Sequence, residues 1–231
     1  MAAHPRVAVL LAGSGHLDGS EIREAVLTLL ALDQHGAKVQ CVAPNADQHH
    51  VVDHLTGREE SGARRNMMRE SGRIARGEVL DLAKARAGDF DAIVIPGGYG
   101  VAKNLCGFAF QGAKAEVRPE VVAFLKGFLD AGKPVGAICI SPALLALTLA
   151  ALGRKGRLTI GNDAGCAGAI EALGSTHERH DSPREIAVDE AQNLVTTPAY
   201  MFDGARLSEI YVGIERAVAE VVRRVKVPVG A

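Results

Sequence analysis

The chain contains few aromatic residues: no tryptophan, three tyrosines and six phenylalanines among 231 residues. Platforms on which nucleic-acid bases could stack are therefore not expected. Charge of one sign is also lacking, since 26 basic residues face 27 acidic ones, and no overall field favours nucleic acid or an anionic membrane. No apolar run reaches transmembrane length, and residues 1–6 lack the layout of a signal peptide. We expect neither a nucleic-acid partner nor a membrane association.

Cysteine is scarce and scattered, and no two cysteines have CxxC spacing: Cys41, Cys106, Cys139 and Cys166. In a chain of this length, that spacing predicts reduced thiols and a cytoplasmic compartment instead of a disulfide framework. Three histidines lie close together at His49, His50 and His54, but no cysteine or carboxylate accompanies them at ligand spacing. We therefore expect no metal site.

Apolar strands alternate with helices along the chain. The strands are expected at residues 6–12, 38–43, 91–96 and 134–138, with a hairpin formed by 186–188 and 194–197. The helices are expected at residues 20–35, which Ser20 would cap, and at 119–131, 141–149 and 203–222. This order predicts one α/β domain over residues 1–231, doubly wound around a mostly parallel sheet with helices on both faces. Ligands of such sheets lie beyond the carboxyl ends of the strands.

An excursion at about residues 45–86 is longer than a minimal crossover. Its second half is rich in arginine, at positions 64, 65, 69, 73 and 76. A solvated helical segment is the interpretation we favour, and the alternative is a flap that recognises anions over the site.

The most informative residues surround Cys139. The apolar residues 134–138 predict a buried strand, and Ser141 and Pro142 begin an apolar helix, so Cys139 should occupy a sharp strand-to-helix turn. Backbone N–H groups and the helix dipole at such a turn favour a thiolate and a developing oxyanion. The same pattern is compatible with a buried cysteine that acts as a small apolar side chain.

Two further features should lie at the same edge of the sheet. Gly97 and Gly98 follow an apolar strand, where a glycine lets a backbone N–H approach a reacting oxygen. Glu24 heads a second apolar row of its helix, formed by Leu27, Thr28 and Ala31. A desolvated carboxyl there would suit proton exchange with a thiol, whereas a solvated one would only complement the helix dipole; the pattern leaves both open.

The chain resembles the DJ/PfpI superfamily, an amidotransferase-like group, and within it the ElbB-type glyoxalases associated with isoprenoid biosynthesis. The resemblance rests on DGSEI at 18–22, EAVLTLLA at 24–31, HLTG at 54–57, RIARGE at 73–78, PGGYG at 96–100, AKNL at 102–105, LTIG at 158–161 and VTTPAYM at 195–201. It implies a flavodoxin-like sandwich, the nucleophile Cys139 and its acidic partner Glu24. It also implies oxyanion or substrate contacts at Gly97, Gly98, Ile140 and Asn104.

The superfamily's histidine would fall at about Gly161, and the ElbB-type proteins are similar to this chain in lacking it. The resemblance implies a cofactor-free conversion of glyoxal or a related dicarbonyl to a 2-hydroxy acid through a cysteine hemithioacetal. A small aldehyde is then the expected partner. The alternatives are a binding or redox-sensing protein without turnover, and a glutamine amidotransferase, which the missing histidine disfavours.

A homodimer is also expected. The first helix carries two apolar rows, and one sheet can cover only one of them. The row of Leu27, Thr28 and Ala31 would then need the excursion or a second subunit as its cover. The superfamily resemblance favours the second subunit.

Overall fold

The computed structural model describes residues 4–226. The strands are β1 Arg6–Leu10, β2 Lys38–Ala43, β3 Val52–Asp53, β4 Arg58–Glu59, β5 Val79–Asp81, β6 Ala92–Ile95, β7 Val135–Ile138, β8 Arg157–Leu158, β9 Thr176–His177, β10 Ala187–Asp189 and β11 Leu194–Thr197. The helices are α1 Ile22–Gln34, α2 Met67–Ile74, α3 Phe108–Gln111, α4 Pro119–Asp130, α5 Ser141–Ala151, α6 Ala164–Ala172 and α7 Leu207–Arg223. A π-helical turn spans Val101–Leu105, and a short 3₁₀ turn spans Ala199–Met201.

Seven strands form the central sheet in the order β10-β11-β7-β6-β1-β2-β5. Every neighbouring pair is parallel except the β10–β11 hairpin. The chain first runs outward from β1 through β2 to β5, and then returns to build β6, β7 and β11 on the other side. The direction of winding therefore changes between β1 and β6, which is where open α/β sheets place their ligands.

Alternate residues of β1 supply two hydrophobic cores. Val7 and Val9 face one layer, which contains α1 and α7, and Ala8 and Leu10 face the other, which contains α4 and α5. Both faces of the sheet are thus buried, which explains the continuous apolar strands of the sequence. The doubly wound α/β fold with helices on both faces is confirmed.

The excursion is not purely helical. It forms the β3–β4 hairpin, the eight-residue helix α2, and β5, which joins the central sheet as an edge strand beside β2. Strand β5 is only three residues long, which is too short for a period-2 pattern to reveal a strand.

The N-terminus of α1 also differs from the expectation. Glu21 is the N-cap, and its carboxylate accepts a hydrogen bond from the Glu24 N–H at 2.6 Å. Ser20 was expected in that position, but it is buried one residue earlier and its hydroxyl accepts the N–H of Ala12 at 2.8 Å. Ser20 therefore fastens the loop after β1 and does not cap the helix.

None of the helices in residues 4–226 combines the length and apolar character needed to cross a bilayer.

Candidate active site

Four loops meet at the carboxyl edge of the sheet. They follow β1, β6, β7 and β11, which are consecutive neighbours in the sheet. Backbone hydrogen bonds join them directly: Glu21 N donates to Gly97 O at 2.9 Å, and Cys139 N donates to Thr197 O at 2.9 Å. The sheet topology thus brings together segments that are up to about 180 residues apart in the chain.

Cys139 occupies the expected turn between β7 and α5. Its φ is +63°, in the left-handed region that non-glycine residues rarely adopt. Pro142 lies in the first turn of α5, and the Ser141 hydroxyl donates to Pro96 O at 2.8 Å, which fixes the turn against the end of β6. The backbone N–H groups of Gly98 and Ile140 favour the ionised form of the sulfur and lower the pKa of the thiol. This strained turn, held from both sides, has the geometry of a nucleophile elbow.

Gly97 leaves no room for a side chain. A Cβ built on it would lie 2.5 Å from the Cys139 Cβ, 2.6 Å from the Glu24 Oε2 and 3.0 Å from the Cys139 Sγ. Its backbone therefore packs directly against both reactive groups, and only glycine allows this approach.

Glu24 is fully buried. Its Oε2 accepts the Gly97 N–H at 2.8 Å, and its Oε1 accepts the Tyr200 N–H at 3.1 Å. The carboxyl and the Cys139 sulfur lie on the same side of Gly97, since a Cβ built on Gly97 would approach both of them. Of the two interpretations that the pattern left open, the structure shows the desolvated carboxyl.

Burial governs the protonation of this pair. It raises the pKa of Glu24 to about 8, repulsion by Glu21 adds to the shift, and the contacts with Tyr200, Cys139 and Gly97 oppose it. Burial likewise raises the pKa of the Cys139 thiol well above its ordinary value, helped by Glu24 and opposed by the Gly98 and Ile140 N–H groups. The expected lowering of the thiol pKa by the helix N-terminus is therefore wrong, because desolvation outweighs the aligned N–H groups.

The other thiols lie in equally unfavourable settings for ionisation. Burial raises the pKa of Cys41 and of Cys106 to about 11. Cys166 is half-buried, and burial together with Asp163 raises its pKa to about 12. Cys139 differs from the other three cysteines because its neighbour, Glu24, has a pKa of about 8.

The two apolar rows of α1 have exchanged places relative to the expectation. Thr28 and Ala31 are buried within the subunit, on the side of Glu24, so they need no further cover. The exposed row is the other one, with Ile22, Val26 and Leu30 at 46%, 47% and 42% exposure. The hydrophobic pattern identified two rows but could not tell which one meets the sheet.

Asn104 lies in the π-helical turn and supports the neighbouring loop. Its amide nitrogen donates to Ala12 O at 3.0 Å and to Asp18 O at 2.8 Å, and its Oδ1 accepts the His49 N–H at 2.8 Å. The side chain is therefore engaged with backbone groups of the loops around the site.

Gly161 adopts a positive φ of 83°, and a Cβ on it would lie 3.1 Å from Phe202 Cε2 and 3.2 Å from Pro198 Cβ. A histidine at this position would be strained and crowded. The backbone conformation and the neighbouring side chains of Phe202 and Pro198 therefore disfavour a histidine at this position.

Sequence reasoning missed two contributors to the site. Tyr200 supplies a backbone N–H to Glu24, and its hydroxyl accepts a hydrogen bond from Arg23 at 3.0 Å. Glu21 lies beside Glu24 as the helix cap. The AYM segment was recognised as part of a family motif, but a backbone donor leaves no side-chain signal, and the cap was assigned to Ser20.

Four of the five arginines of the excursion, all except Arg76, line an open groove of about 1030 Å³ beside α2 and β5. Three of them face acidic partners: Arg64 lies 3.8 Å from Asp47, Arg65 lies 4.0 Å from Glu60, and Arg73 lies 3.0 Å from Glu70. The residues that line this groove do not include Cys139 or Glu24. These contacts fit the solvated interpretation better than the flap.

In residues 4–226, no three His, Cys, Asp or Glu side chains cluster in a way that could hold a metal ion.

Comparison with known proteins agrees with this geometry. The chain is 44% identical over 225 residues to the human "glutamine amidotransferase-like class 1 domain-containing protein 3, mitochondrial", covering 94% of this chain and 82% of that protein. It is 34% identical over 233 residues to the zebrafish (Danio rerio) "ES1 protein, mitochondrial", covering 94% and 85%.

The chain is also similar to proteins of known structure. A crystal structure of an "isoprenoid biosynthesis protein with amidotransferase-like domain" from Ehrlichia chaffeensis is 40% identical, with a TM-score of 0.88 over 96% of this chain and 100% of that one. Drosophila melanogaster DJ-1beta shares the fold at 19% identity, with a TM-score of 0.55 over 96% of each chain. The model of the DJ-1/PfpI family matches residues 6–197. The chain therefore belongs to the DJ-1/PfpI family.

Proposed function

We propose that this protein is a cofactor-free glyoxalase that converts glyoxal, or a related small dicarbonyl, to a 2-hydroxy acid. The observation that carries the proposal is the buried pair of Cys139 and Glu24 at a nucleophile elbow. A general base works best when its pKa lies near the working pH, and burial brings the pKa of Glu24 to about 8. The family includes glyoxalase-like and other roles, so the site chemistry has to support the choice.

The first step uses the pair as nucleophile and base. The Cys139 sulfur attacks an aldehyde carbon while its proton passes to the Glu24 carboxylate, which the pKa of about 8 makes available to a minor extent at neutral pH. The aldehyde oxygen gains negative charge near the N–H groups of Gly98 and Ile140 and becomes the hydroxyl of a hemithioacetal after proton uptake.

The second step moves a proton between the two carbons. Glu24 removes the hydrogen from the carbon bonded to sulfur, which gives an enediol, and returns a proton to the neighbouring carbon. The product is a thioester of Cys139 with a hydroxyacyl group. Water cleaves the C–S bond and regenerates the thiol, so glyoxal plus water yields glycolate without any change in overall oxidation state. One carboxyl close to the sulfur suffices for all of these proton transfers.

The closed site supports a small substrate. Cys139 is 7% exposed and Glu24 is fully buried, so the two reactive groups are accessible only to a compact molecule. A glutamine side chain is larger, and its hydrolysis also needs a group that accepts the thiol proton and then protonates the leaving ammonia. Histidine plays this role in thiol hydrolases. The crowded Gly161 argues against that base, and so against the amidotransferase alternative.

The test is glyoxal consumption with detection of glycolate by proton NMR. The variants are Cys139→Ala, Glu24→Gln and, as a matched control, Cys166→Ala, which removes the half-buried thiol far from Glu24 in sequence. We expect turnover in the wild type and in Cys166→Ala, and none above background in the other two. Turnover that survives Cys139→Ala would refute the mechanism. A wild type that binds or oxidises at Cys139 without turnover would favour the binding or redox-sensing alternative.

We also propose that two chains pair through the exposed row of α1. Ile22, Val26 and Leu30 recur every four residues and present one apolar stripe on α1, the helix that also carries Glu24. If a second copy of the chain packs its own stripe against this one across a two-fold axis, the stripes of both subunits become buried. The interface would then lie next to the active site. The occupant of this face is then a second copy of the chain.

A further inference from the structure

The DGSEI and HLTG motifs meet in the structure, although the proposed mechanism uses neither Asp18 of the first nor His54 of the second. Asp18 lies on the loop after β1, and His54 lies at the turn of the β3–β4 hairpin. The Asp18 Oδ2 accepts the Val52 N–H at 2.8 Å, and the His54 Nε2 lies 3.2 Å from the Leu17 backbone nitrogen. These two side chains therefore fasten the hairpin to the loop.

The partners of the His54 ring define its tautomer. The Leu17 N–H can only donate, so the Nε2 atom accepts this hydrogen bond and carries no proton. The Val52 carbonyl oxygen, 3.0 Å from Nδ1, can only accept, so Nδ1 carries the proton. The ring is neutral in this arrangement, because an imidazolium would direct a second N–H group at the Leu17 N–H.

Asp18 offers a protonated ring another partner. Asp18 is fully buried, and within residues 4–226 its Oδ1 has no hydrogen-bond partner. The His54 Nε2 lies 3.7 Å from this oxygen. A Cβ built on Gly15 would come within 2.6 Å of Nε2 and 2.7 Å of Oδ1, so the two atoms lie on the same side of the Gly15 backbone. A buried carboxylate oxygen without a donor is costly, and an N–H group on Nε2 would supply one after a small movement of the ring.

Charged groups from three elements face His54. Asp53 precedes it on the hairpin, and Asp18 and His16 lie on the loop after β1, with the His16 ring centroid 5.0 Å from that of His54. Lys103 on the π-helical turn donates to a carbonyl of the same loop at 2.9 Å. The two carboxylates favour an imidazolium, whereas the ammonium and a protonated His16 oppose it. Histidine is the side chain that ordinarily changes its charge between pH 5 and pH 8.

The loop after β1 also supports the loop that follows β6. Tyr99 N donates to His16 O at 2.8 Å, and Gly100 N donates to Gly19 O at 2.9 Å. Gly98 precedes these two donors, and its N–H favours the ionised form of the site thiol. A movement of residues 16–19 would therefore reach the backbone of Gly98.

We infer that Asp18 and His54 form a pH-sensitive connection between the hairpin and the active-site loops. The neutral ring accepts the Leu17 N–H. When Nε2 takes up a proton from solvent, the ring releases Leu17 and donates to the Asp18 Oδ1, so one hydrogen bond replaces another. The loop after β1 then shifts, and the shift repositions Gly98. The inference concerns how the site is supported, and it does not depend on which reaction occurs there.

The test is heteronuclear NMR of the ¹⁵N-labelled full chain between pH 5 and pH 8. It follows the ring nitrogens of His54 and the backbone amides of Leu17 and Tyr99. His54→Gln keeps an acceptor for the Leu17 N–H but cannot take up a proton. His50→Gln is the matched control, because His50 lies on the same segment and its ring faces Glu59 at 3.6 Å.

At pH 8 we expect His54 to carry its proton on Nδ1. As the pH falls, the amide signals of Leu17 and Tyr99 should move with the midpoint of the His54 ring. These movements should disappear in His54→Gln and persist in His50→Gln. A proton on Nε2 at pH 8, a ring that does not titrate in this range, or amide signals that move equally in His54→Gln would overturn the inference. A fixed Tyr99 signal beside a moving Leu17 signal would refute the connection to the site.

Asp18→Asn provides a second measurement. It removes the negative charge that favours the imidazolium, so the midpoint of the His54 ring should fall by about one pH unit or more. An unchanged midpoint in the folded variant would contradict the role of Asp18. None of these readouts requires turnover, so a chain that titrates as expected but does not consume glyoxal refutes the proposed function and leaves this inference intact.

Discussion

The substitution Glu24→Gln tests the buried carboxyl most directly, through the pH dependence of stability. The pKa of Glu24 is about 8 in the folded protein, against an ordinary value of 4.5. Between these two values the folded state retains a proton that the unfolded state has released. The free energy of unfolding must therefore fall as pH rises across this window, and the loss ends above pH 8, where both states are ionised.

The magnitude follows from the two pKa values. From pH 4.5 to pH 7 the linkage amounts to about 2.5 pH units at 1.36 kcal/mol each, or roughly 3 kcal/mol. Glutamine cannot titrate, so Glu24→Gln loses this component of the pH dependence. Its amide also places an N–H group near one of the two backbone donors, Gly97 or Tyr200, which costs about 1–3 kcal/mol at every pH. The slope, and not the absolute stability, is therefore diagnostic.

The assay is urea unfolding of the wild type and Glu24→Gln at half-unit steps from pH 4.5 to pH 8.5. Other titrating groups are shared by the two proteins and cancel in the difference between their unfolding free energies. We expect that difference to move by roughly 3 kcal/mol in favour of the variant between pH 4.5 and pH 7. A constant difference would show that Glu24 ionises normally, and would refute both the raised pKa and the base role. Glyoxal turnover of the variant should fall by about 10²–10⁴-fold.

Three further predictions follow from particular contacts. Alkylation of Cys139 should rise through pH 8 as Glu24 ionises, whereas Cys166, whose pKa is about 12, should stay unreactive over the same range; preferential labelling of Cys166 would contradict the elbow assignment. Gly97→Ala should abolish turnover and cost about 1–3 kcal/mol of stability in denaturant unfolding, because its methyl group would lie 2.5 Å from the Cys139 Cβ; full activity would refute the close packing. Light scattering should give twice the mass of one chain for the wild type and for Leu55→Glu, an apolar-to-acidic control at a 97% exposed position, but a single chain for Val26→Glu; a wild-type monomer would exclude the pair.

The sequence by itself determined the layer architecture and the turn that holds Cys139. Continuous apolar strands separated by helices can be buried only in a sheet covered on both faces, and the strand of residues 38–43 and the 186–197 hairpin fall where the pattern predicts them. The position of Cys139 was predictable because an apolar strand ends directly before it and a helix with proline in its first turn begins two residues after it. These signals depend only on residues that are close together in the sequence, so packing between distant segments does not change them.

The tertiary structure decided what depends on distant neighbours. The rows of α1 look equivalent in sequence, and only packing against the sheet and α7 shows that Thr28 and Ala31 are inside while Val26 is outside. The helix cap moved from Ser20 to Glu21 because Ser20 found a backbone partner in the loop after β1. The thiol pKa also depends on the whole environment: a helix N-terminus favours the thiolate locally, but complete burial beside Glu24 reverses the sign. Desolvation is set by every segment that closes over a group, and no single stretch of sequence contains that information.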